Sequence, residues 1–167
     1  AYSLQIYLDF SAYSDIAIGV SRMLGITVPE NFRWPYLSEH IQDFWTRWHM
    51  SLSSWVRDYV FLPSGRIAFG TGLRQHPLVI ACLSYGVAFL VVGAWHGLTP
   101  NYVAWGLYHG ALLGAHQVYR KTVASHIAGR PWYESFPVRI ASMALTFFAV
   151  SLGWLLFMTP SLQEAAH

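Results

Sequence analysis

Charged residues are scarce in this chain, and their scarcity is the first guide to its class. Only 11% of the 167 residues are Asp, Glu, Lys or Arg, whereas soluble domains usually carry about a quarter. The formal net charge is only +2 and no basic block occurs, so we expect no nucleic-acid partner. Hydrophobic residues reach 54% and aromatic residues 17%, a bias typical of helices that end at a membrane–water interface. The composition indicates a membrane protein.

Cysteine is almost absent, and so are several common catalytic motifs. The single cysteine, Cys82, excludes a disulfide framework and a Cys-X-X-Cys site. The sequence contains no Gly-X-Ser-X-Gly, His-Glu-X-X-His, Walker or Gly-X-Gly-X-X-Gly motif, so serine hydrolases, zinc proteases and nucleotide-binding proteins lack their anchors. We expect no metal site and no tightly bound cofactor.

Two long segments carry no Asp, Glu, Lys or Arg: Gln75–Tyr119 and 140–163. A membrane-spanning helix needs about 20 mostly apolar residues, so the first segment holds two spans and a turn. The predicted spans are residues 2–24, 77–95, 101–119 and 138–158. Since the first contains Asp9 and Asp15, it should face protein or water rather than lipid. We predict a single all-α transmembrane domain over 1–167, the C-terminal portion of a longer polytopic protein.

Between the first two spans, apolar residues recur at steps of three and four. They are Ile41, Trp45, Trp48, Leu52, Trp55 and Tyr59. This spacing predicts one amphipathic helix over 38–62, interfacial or re-entrant in the membrane. The prolines and glycines of 63–72 predict a loop after it. Basic residues flank the 77–119 hairpin on both sides, which places both flanking loops on the cytoplasmic side.

Histidines are the candidate catalytic residues. His96 lies within a charge-free segment, where an ionisable group needs either a function or a partner. An imidazole accepts a proton near neutral pH, as a base for a hydroxyl nucleophile must; a helix-packing histidine is the alternative. His49 lies at the edge of the apolar stripe, where it either takes part in the reaction or rests at the interface. His109, in a glycine-flanked span, is predicted to pack helices together.

Six segments carry a family resemblance: Tyr7–Asp15, Pro29–Phe32, Asp43–Tyr59, Trp95–Gly97, Trp105–Gly110 and Gly153–Phe157. In this order they resemble the membrane-bound O-acyltransferase (MBOAT) family. The similarity is to the bacterial branch that acylates alginate and teichoic acid, and it covers nearly the whole chain. The resemblance implies a helical bundle around a tunnel through the membrane.

By position in these motifs, the resemblance makes His96 the catalytic histidine and His49 its partner histidine. Trp95, Trp48, Arg47 and Asn101 are the predicted substrate-binding residues. The resemblance also implies a thioester-type acyl donor or its carrier on the cytoplasmic side and an envelope polysaccharide as hydroxyl acceptor. The expected location is the bacterial cytoplasmic membrane, crossed several times, and other envelope acylation proteins are expected partners.

Two alternatives remain open at this point. The His-Gly-Leu-Thr-Pro segment after Trp95, together with Phe61–Arg66 where alginate-type proteins often have Pro-Leu-Gly-Gly, favours D-alanyl transfer to teichoic acid. The second alternative belongs to another class, a transporter or channel whose intramembrane Asp and His residues form a proton or solute path.

Overall fold

The computed structural model describes residues 1–159, so residues 160–167 of the predicted domain lie outside the described part. The helices are α1 (Tyr2–Met23), α2 (Ile41–Arg47), α3 (Met50–Val56), α4 (Leu62–Phe69), α5 (Pro77–His96), α6 (Pro100–Tyr119), α7 (Ser125–Ile127) and α8 (Phe136–Met158). Shorter 3₁₀ turns cover Pro35–Leu37 and Gly72–Gln75, and π-helical turns cover Arg57–Phe61 and Arg120–Ala124. No β-strand occurs within residues 1–159, which confirms the all-α prediction.

Helices α5 and α6 form a tight antiparallel pair. Each begins with a proline in its first turn, where the missing N–H costs no helical hydrogen bond. Glycines set the distance between the two helices: a Cβ on Gly106 would overlap the carbonyl oxygen of Phe89, and a Cβ on Gly93 that of Tyr102. Side chains larger than hydrogen at these positions would force the helices apart.

Large apolar and aromatic side chains from four helices form the core. Buried members from α2, α5, α6 and α8 include Phe44, Trp45, Phe89, Val92, Trp105, Leu113, Val150 and Trp154. Two hydroxyl groups join helices around this core: Tyr108 of α6 donates to the carbonyl of Ala149 on α8 (2.7 Å), and Ser3 of α1 donates to Ser151 of α8 (2.9 Å). The core thus lies where α2, α6 and α8 meet.

The outward faces of the long helices are also apolar. Exposed side chains on α5 include Val79, Leu83, Val87 and Leu90, and on α8 Ile140, Leu145, Phe148 and Leu152. Within 1–159, α5 and α8 are the two helices long and apolar enough to cross a membrane. Helix α1 contains charged residues, and α6 contains polar and small residues that are buried against neighbouring helices. These residues make both helices less apolar than α5 and α8. Membrane crossing by α1 and α6 stays a prediction.

The single amphipathic helix predicted over 38–62 is wrong, because the chain bends between α2 and α3. Trp48 is extended, and His49 adopts left-handed backbone angles (φ 44°, ψ 58°). The preceding loop crosses at this point: Arg33 N–H donates to the carbonyl of Arg47 and Met50 N–H to that of Asn31, both at 3.0 Å. These contacts join residues far apart in sequence, so the local periodicity could not reveal them.

The loop predicted over 63–72 is also wrong, since α4 covers most of it. The backbone stays right-handed helical from Val56 through Leu62, so α3, the π-helical turn and α4 follow one another without a break. Pro63 has no N–H to donate, and its ring would clash with the carbonyl four residues earlier in a regular helix. The wider π-helical turn just before Pro63 is the usual kind of local adjustment at such a position.

Candidate active site

A cavity of about 530 Å³ lies between α1, the α2–α3 bend, and the meeting point of α5, α6 and α8. Its walls are Tyr2, Gln5, Ile6, Asp9 and Phe10 of α1, then Trp45, Trp48, His49, Leu52, Val92, His96, Trp105, Trp154 and Phe157. His49 and His96, far apart in the sequence, both line it. We call this space the central cavity.

The α2–α3 bend positions His49. Its Nδ1 lies 3.3 Å from Oδ1 of Asn31. Its ring is perpendicular to the ring of Phe10, and the two ring centroids are 4.9 Å apart. Burial lowers the pKa of His49 below its usual value near 6.5. The side chain is therefore neutral at pH 7, with one nitrogen able to donate a hydrogen bond and the other able to accept one.

Aromatic rings, rather than hydrogen bonds, hold His96 at the C-terminal end of α5. Trp105 and Phe157 meet its ring edge-on at centroid distances of 5.4 and 4.9 Å. No side chain or backbone group among residues 1–159 hydrogen-bonds to its ring nitrogens. Both nitrogens therefore remain available to a bound molecule, as a proton-accepting residue requires.

His109 has a different environment from the two histidines of the central cavity. It is fully buried on α6, and neither of its ring nitrogens has a partner within the described residues. The rings of Trp45 and Trp105 surround it at centroid distances of 5.2 and 4.9 Å, and Gly153 of α8 leaves the space that its Nε2 occupies. Its position between three helices fits the packing role predicted for it.

Of the four predicted substrate-binding residues, the structure brings one to the central cavity. Trp48 lines it, whereas Arg47 pairs with Asp43 (2.9 Å) and lies outside it. Asn101 is buried and its amide donates to the carbonyl of Thr159 at 2.5 Å, so it fastens α6 to the end of α8. Trp95 makes a T-shaped contact with the ring of His96 but points outward, with 63% of its surface exposed. The structure therefore does not place Arg47, Asn101 or Trp95 among the cavity residues.

Helix α1 contributes polar residues to the site that the motif analysis did not select. Gln5 and Asp9 line the central cavity beside Tyr2. These three residues recur at steps of three and four, which puts them on one side of a helix. The spacing of these polar residues was the signal available in the sequence, but which way they face depends on how α1 packs.

A second cavity of about 350 Å³ shares a wall with the central cavity. Trp45, Leu52 and Val92 line both spaces. The second cavity combines an apolar floor, which includes Phe89, with polar groups such as Arg57. The two spaces are therefore separated by the side chains that they share.

The all-α fold, the apolar outer faces and the two histidines of the central cavity are the features of a membrane protein with a polar site between its helices. The profile of the membrane-bound O-acyltransferase family matches residues 1–159. The chain therefore belongs to this family, which confirms the resemblance seen in its motifs.

Curated relatives of this chain are named for different polymers. The teichoic acid D-alanyltransferase of Bacillus subtilis (strain 168) is 36% identical over 161 residues, 93% of this chain and 39% of the relative. A probable alginate O-acetylase of Pseudomonas fluorescens is 38% identical over 167 residues, 100% of this chain and 30% of the relative. The peptidoglycan O-acetyltransferase of Helicobacter pylori (strain ATCC 700392 / 26695) is 37% identical over 165 residues, 99% and 29%. The chain thus spans well under half the length of these relatives.

Proposed function

We propose that the full-length protein is an O-acyltransferase that moves an acetyl-like group onto a hydroxyl of a cell-envelope polysaccharide. The observation that carries this proposal is the convergence of His49 and His96 on one aromatic-walled cavity. The family membership and the relatives named as alginate and peptidoglycan O-acetyltransferases support the same reaction class. The same names give no support to the transporter alternative.

His96 acts as the general base in this proposal. Its imidazole takes the proton of the acceptor hydroxyl while the oxygen attacks the carbonyl carbon of an acyl thioester. The new C–O bond forms, the C–S bond breaks, and the departing thiolate takes up the proton held by His96. The products are an ester and a free thiol, so the base is restored without any other reactant.

His49, Asp9 and Trp48 hold the acceptor in this proposal. These three residues line the same cavity as His96. Their imidazole, carboxylate and indole groups are the proposed contacts with the acceptor. Binding that holds the hydroxyl in line with the carbonyl speeds the reaction, because the hydroxyl has lost its translational and rotational freedom before the reaction begins. Gln5 adds a second polar group on the same wall.

The two cavities suit a two-substrate reaction in the bacterial cytoplasmic membrane, which we propose the protein crosses several times. The acyl donor or its carrier approaches from the cytoplasmic side, and the polysaccharide approaches from the outer side. The second cavity, with Arg57 among its polar groups, is the proposed approach for the donor. Other envelope acylation proteins are the proposed partners for supply and delivery.

D-alanyl transfer to teichoic acid is the second candidate. The Bacillus subtilis relative, named a teichoic acid D-alanyltransferase, supports it. Mass spectrometry of the envelope polymer from cells with and without the full-length protein separates the two reactions, because acetyl and D-alanyl esters differ in mass. A D-alanyl ester would replace the first proposal with the second.

The test of the base uses His96→Gln in the full-length protein. Glutamine hydrogen-bonds but cannot accept the proton at neutral pH, and a positioned base contributes about 10²–10⁴-fold to rate. We expect loss of ester formation of this size with normal amounts of folded protein. His76→Gln, at the exposed opposite end of α5, is the matched control and should keep parent activity.

Activity is measured as ester formed per folded molecule in reconstituted membranes. Parent activity for His96→Gln would remove His96 from the mechanism. Solute movement across the same membranes without ester formation would instead support the transporter alternative.

A further inference from the structure

Asn31 lies outside the central cavity, yet its side-chain oxygen is within hydrogen-bond distance of two residues of the α2–α3 bend, His49 and Ser51. Ser51 donates to Asn31 Oδ1 twice, from its backbone N–H at 3.2 Å and from its hydroxyl at 2.7 Å. The third contact at the same oxygen is Nδ1 of His49 at 3.3 Å. One carboxamide oxygen therefore faces three nitrogen or oxygen atoms of the bend.

These contacts determine which nitrogen of His49 carries the proton. A backbone N–H only donates, so the Asn31 atom that faces the N–H of Ser51 must be the oxygen rather than the amide nitrogen. An amide oxygen only accepts, so Nδ1 of His49 must be protonated to bond to it. In the neutral imidazole the lone pair then lies on Nε2.

The backbone of the bend reinforces this orientation. Met50 N–H donates to the carbonyl of Asn31 (3.0 Å), and Phe32 forms an isolated bridge with Trp48 on the other side of His49. Asn31 thus holds the main chain through its carbonyl and the imidazole through its amide oxygen. Phe10 closes the remaining side of the ring edge-on.

We propose that Asn31 is a positioning residue that fixes His49 as the Nδ1-protonated tautomer and leaves the Nε2 lone pair for the central cavity. This inference rests on the proposed acyl transfer and assigns a role within it. Nε2 of His49 accepts a hydrogen bond from an acceptor hydroxyl next to the reacting one and does not donate one to the acyl carbonyl. The acceptor is therefore held beside His96, while the proton of the reacting hydroxyl stays available to that base.

The test measures the titration of His49 directly, without needing activity. Full-length protein in nanodiscs is treated briefly with diethyl pyrocarbonate between pH 5 and 8, and modification of His49 is read by peptide mass spectrometry. Tyr2 and Asp9 of α1 and His96 of α5 are the other titratable groups that line the same cavity. None of these three groups is substituted in the variants compared, so a shift in the midpoint of His49 modification reports on Asn31.

Asn31→Asp keeps the shape and all three contacts but places a negative charge beside Nδ1. An opposite charge this close raises a histidine pKa by about one unit or more, so the midpoint of His49 modification should move upward by that amount. Ser51→Ala removes one of the other hydrogen bonds to Asn31 and should leave the midpoint of His49 unchanged. An unchanged midpoint in Asn31→Asp would overturn the proposal, as would an equal shift in Ser51→Ala.

Acyl transfer supplies the second measurement. Because a raised pKa protonates Nε2 at higher pH, the acidic limb of kcat/KM for Asn31→Asp should move upward by the same amount as the His49 midpoint. A residue that merely stabilises the loop would lower activity equally at all pH values, which would count against the proposal. If the full-length protein forms no ester at all, the proposed function fails while the His49 midpoint still decides the role of Asn31.

Discussion

The two histidines of the central cavity are held in different ways, and the difference suits different tasks. The His49 side chain hydrogen-bonds to Asn31, and the backbone of His49 is left-handed. Its ring therefore has one orientation and one tautomer. His96 is enclosed only by aromatic rings such as Trp105, within the described residues. A group that binds a hydroxyl benefits from a fixed lone pair, whereas a base that gains and loses a proton must tolerate both charge states.

Asp9 provides a residue-scale prediction for acceptor binding. Asp9→Asn keeps the size of the side chain but removes the charge, and charge-assisted hydrogen bonds are about twice as strong as neutral ones. We expect kcat/KM for the acceptor to fall about tenfold, corresponding to about 1.4 kcal/mol. Asp15→Asn, on the same helix but away from the central cavity, is the matched control.

Initial rates at varied acceptor concentration, with the acyl donor saturating, give the comparison. Equal kcat/KM for the Asp9 and Asp15 variants would show that Asp9 does not contact the acceptor. A loss confined to Asp9→Asn would assign α1 to the acceptor side of the reaction.

At the residue scale, the predicted site contained both histidines of the central cavity but only one of its other lining residues. Trp48 reaches the central cavity, whereas the amide of Asn101, close to the same motifs in sequence, bonds to the end of α8. Side chains near a catalytic motif in sequence point in several directions on a helix, and only the packing of neighbouring helices decides which of them meet. Asp9 lines the cavity for the same reason, although its segment predicted only that the first span faces protein or water.

The helices themselves were predictable where their signals are local. Apolar runs with few or no charged residues predicted α5 and α8 closely, since length and composition are properties of a single segment. The bend at His49 was missed because it depends on the crossing of Asn31–Arg33. A regular apolar spacing runs across the bend, so helical periodicity alone predicted an unbroken helix.

The glycine contact between α5 and α6 provides the prediction at the scale of elements. A Cβ on Gly106 meets the carbonyl oxygen of Phe89, a backbone atom that cannot rotate away. Gly106→Ala should therefore destabilise the protein by about 1–3 kcal/mol, as overpacking of a close contact does. Gly86→Ala is the matched control on the partner helix, because nothing lies within 4 Å of its added Cβ.

Thermal unfolding in detergent, followed by the loss of monodisperse protein, compares the two variants. Gly86→Ala should match or exceed the parent, since alanine favours the helix by up to about 1 kcal/mol over glycine. Equal midpoints for both variants would mean that the two helices separate without cost, and that the glycines do not set their distance.

At the scale of the whole molecule, the apolar outer faces and the central cavity impose opposite requirements. Leu83 of α5 and Phe148 of α8 face outward and suit lipid, while His49 and His96 line the central cavity and are only partly exposed. The family resemblance found in the motifs could predict an enclosed site, since it carries information from related chains. Composition and periodicity predicted the membrane setting but not which residues enclose the cavity, because that depends on contacts between distant segments.

The orientation of the α5–α6 hairpin is the last prediction. Helix α5 has 20 residues, a length of about 30 Å, which is enough to cross the hydrocarbon core. Because α6 runs antiparallel to α5, we expect the loops at Gly72 and at Arg130 on the same, cytoplasmic side, and Leu98 towards the other. Single cysteines at these three positions, in a Cys82→Ala background, report this through a membrane-impermeant thiol reagent. Gly72 has nothing within 4 Å of an added Cβ, and Leu98 is 86% exposed, so both tolerate the change.

Arg130 is the labelling site in the second loop because its neighbour Gly129 has a φ of +78°, which would strain a cysteine there. In intact cells the reagent should reach position 98 and spare positions 72 and 130; in inverted vesicles the pattern should reverse. Labelling of 72 and 130 from opposite sides would end the hairpin arrangement. It would also place His96, at the C-terminal end of α5, at the wrong depth for an acceptor arriving from outside. The topology of two helices thus decides whether the central cavity can receive the substrates assigned to it.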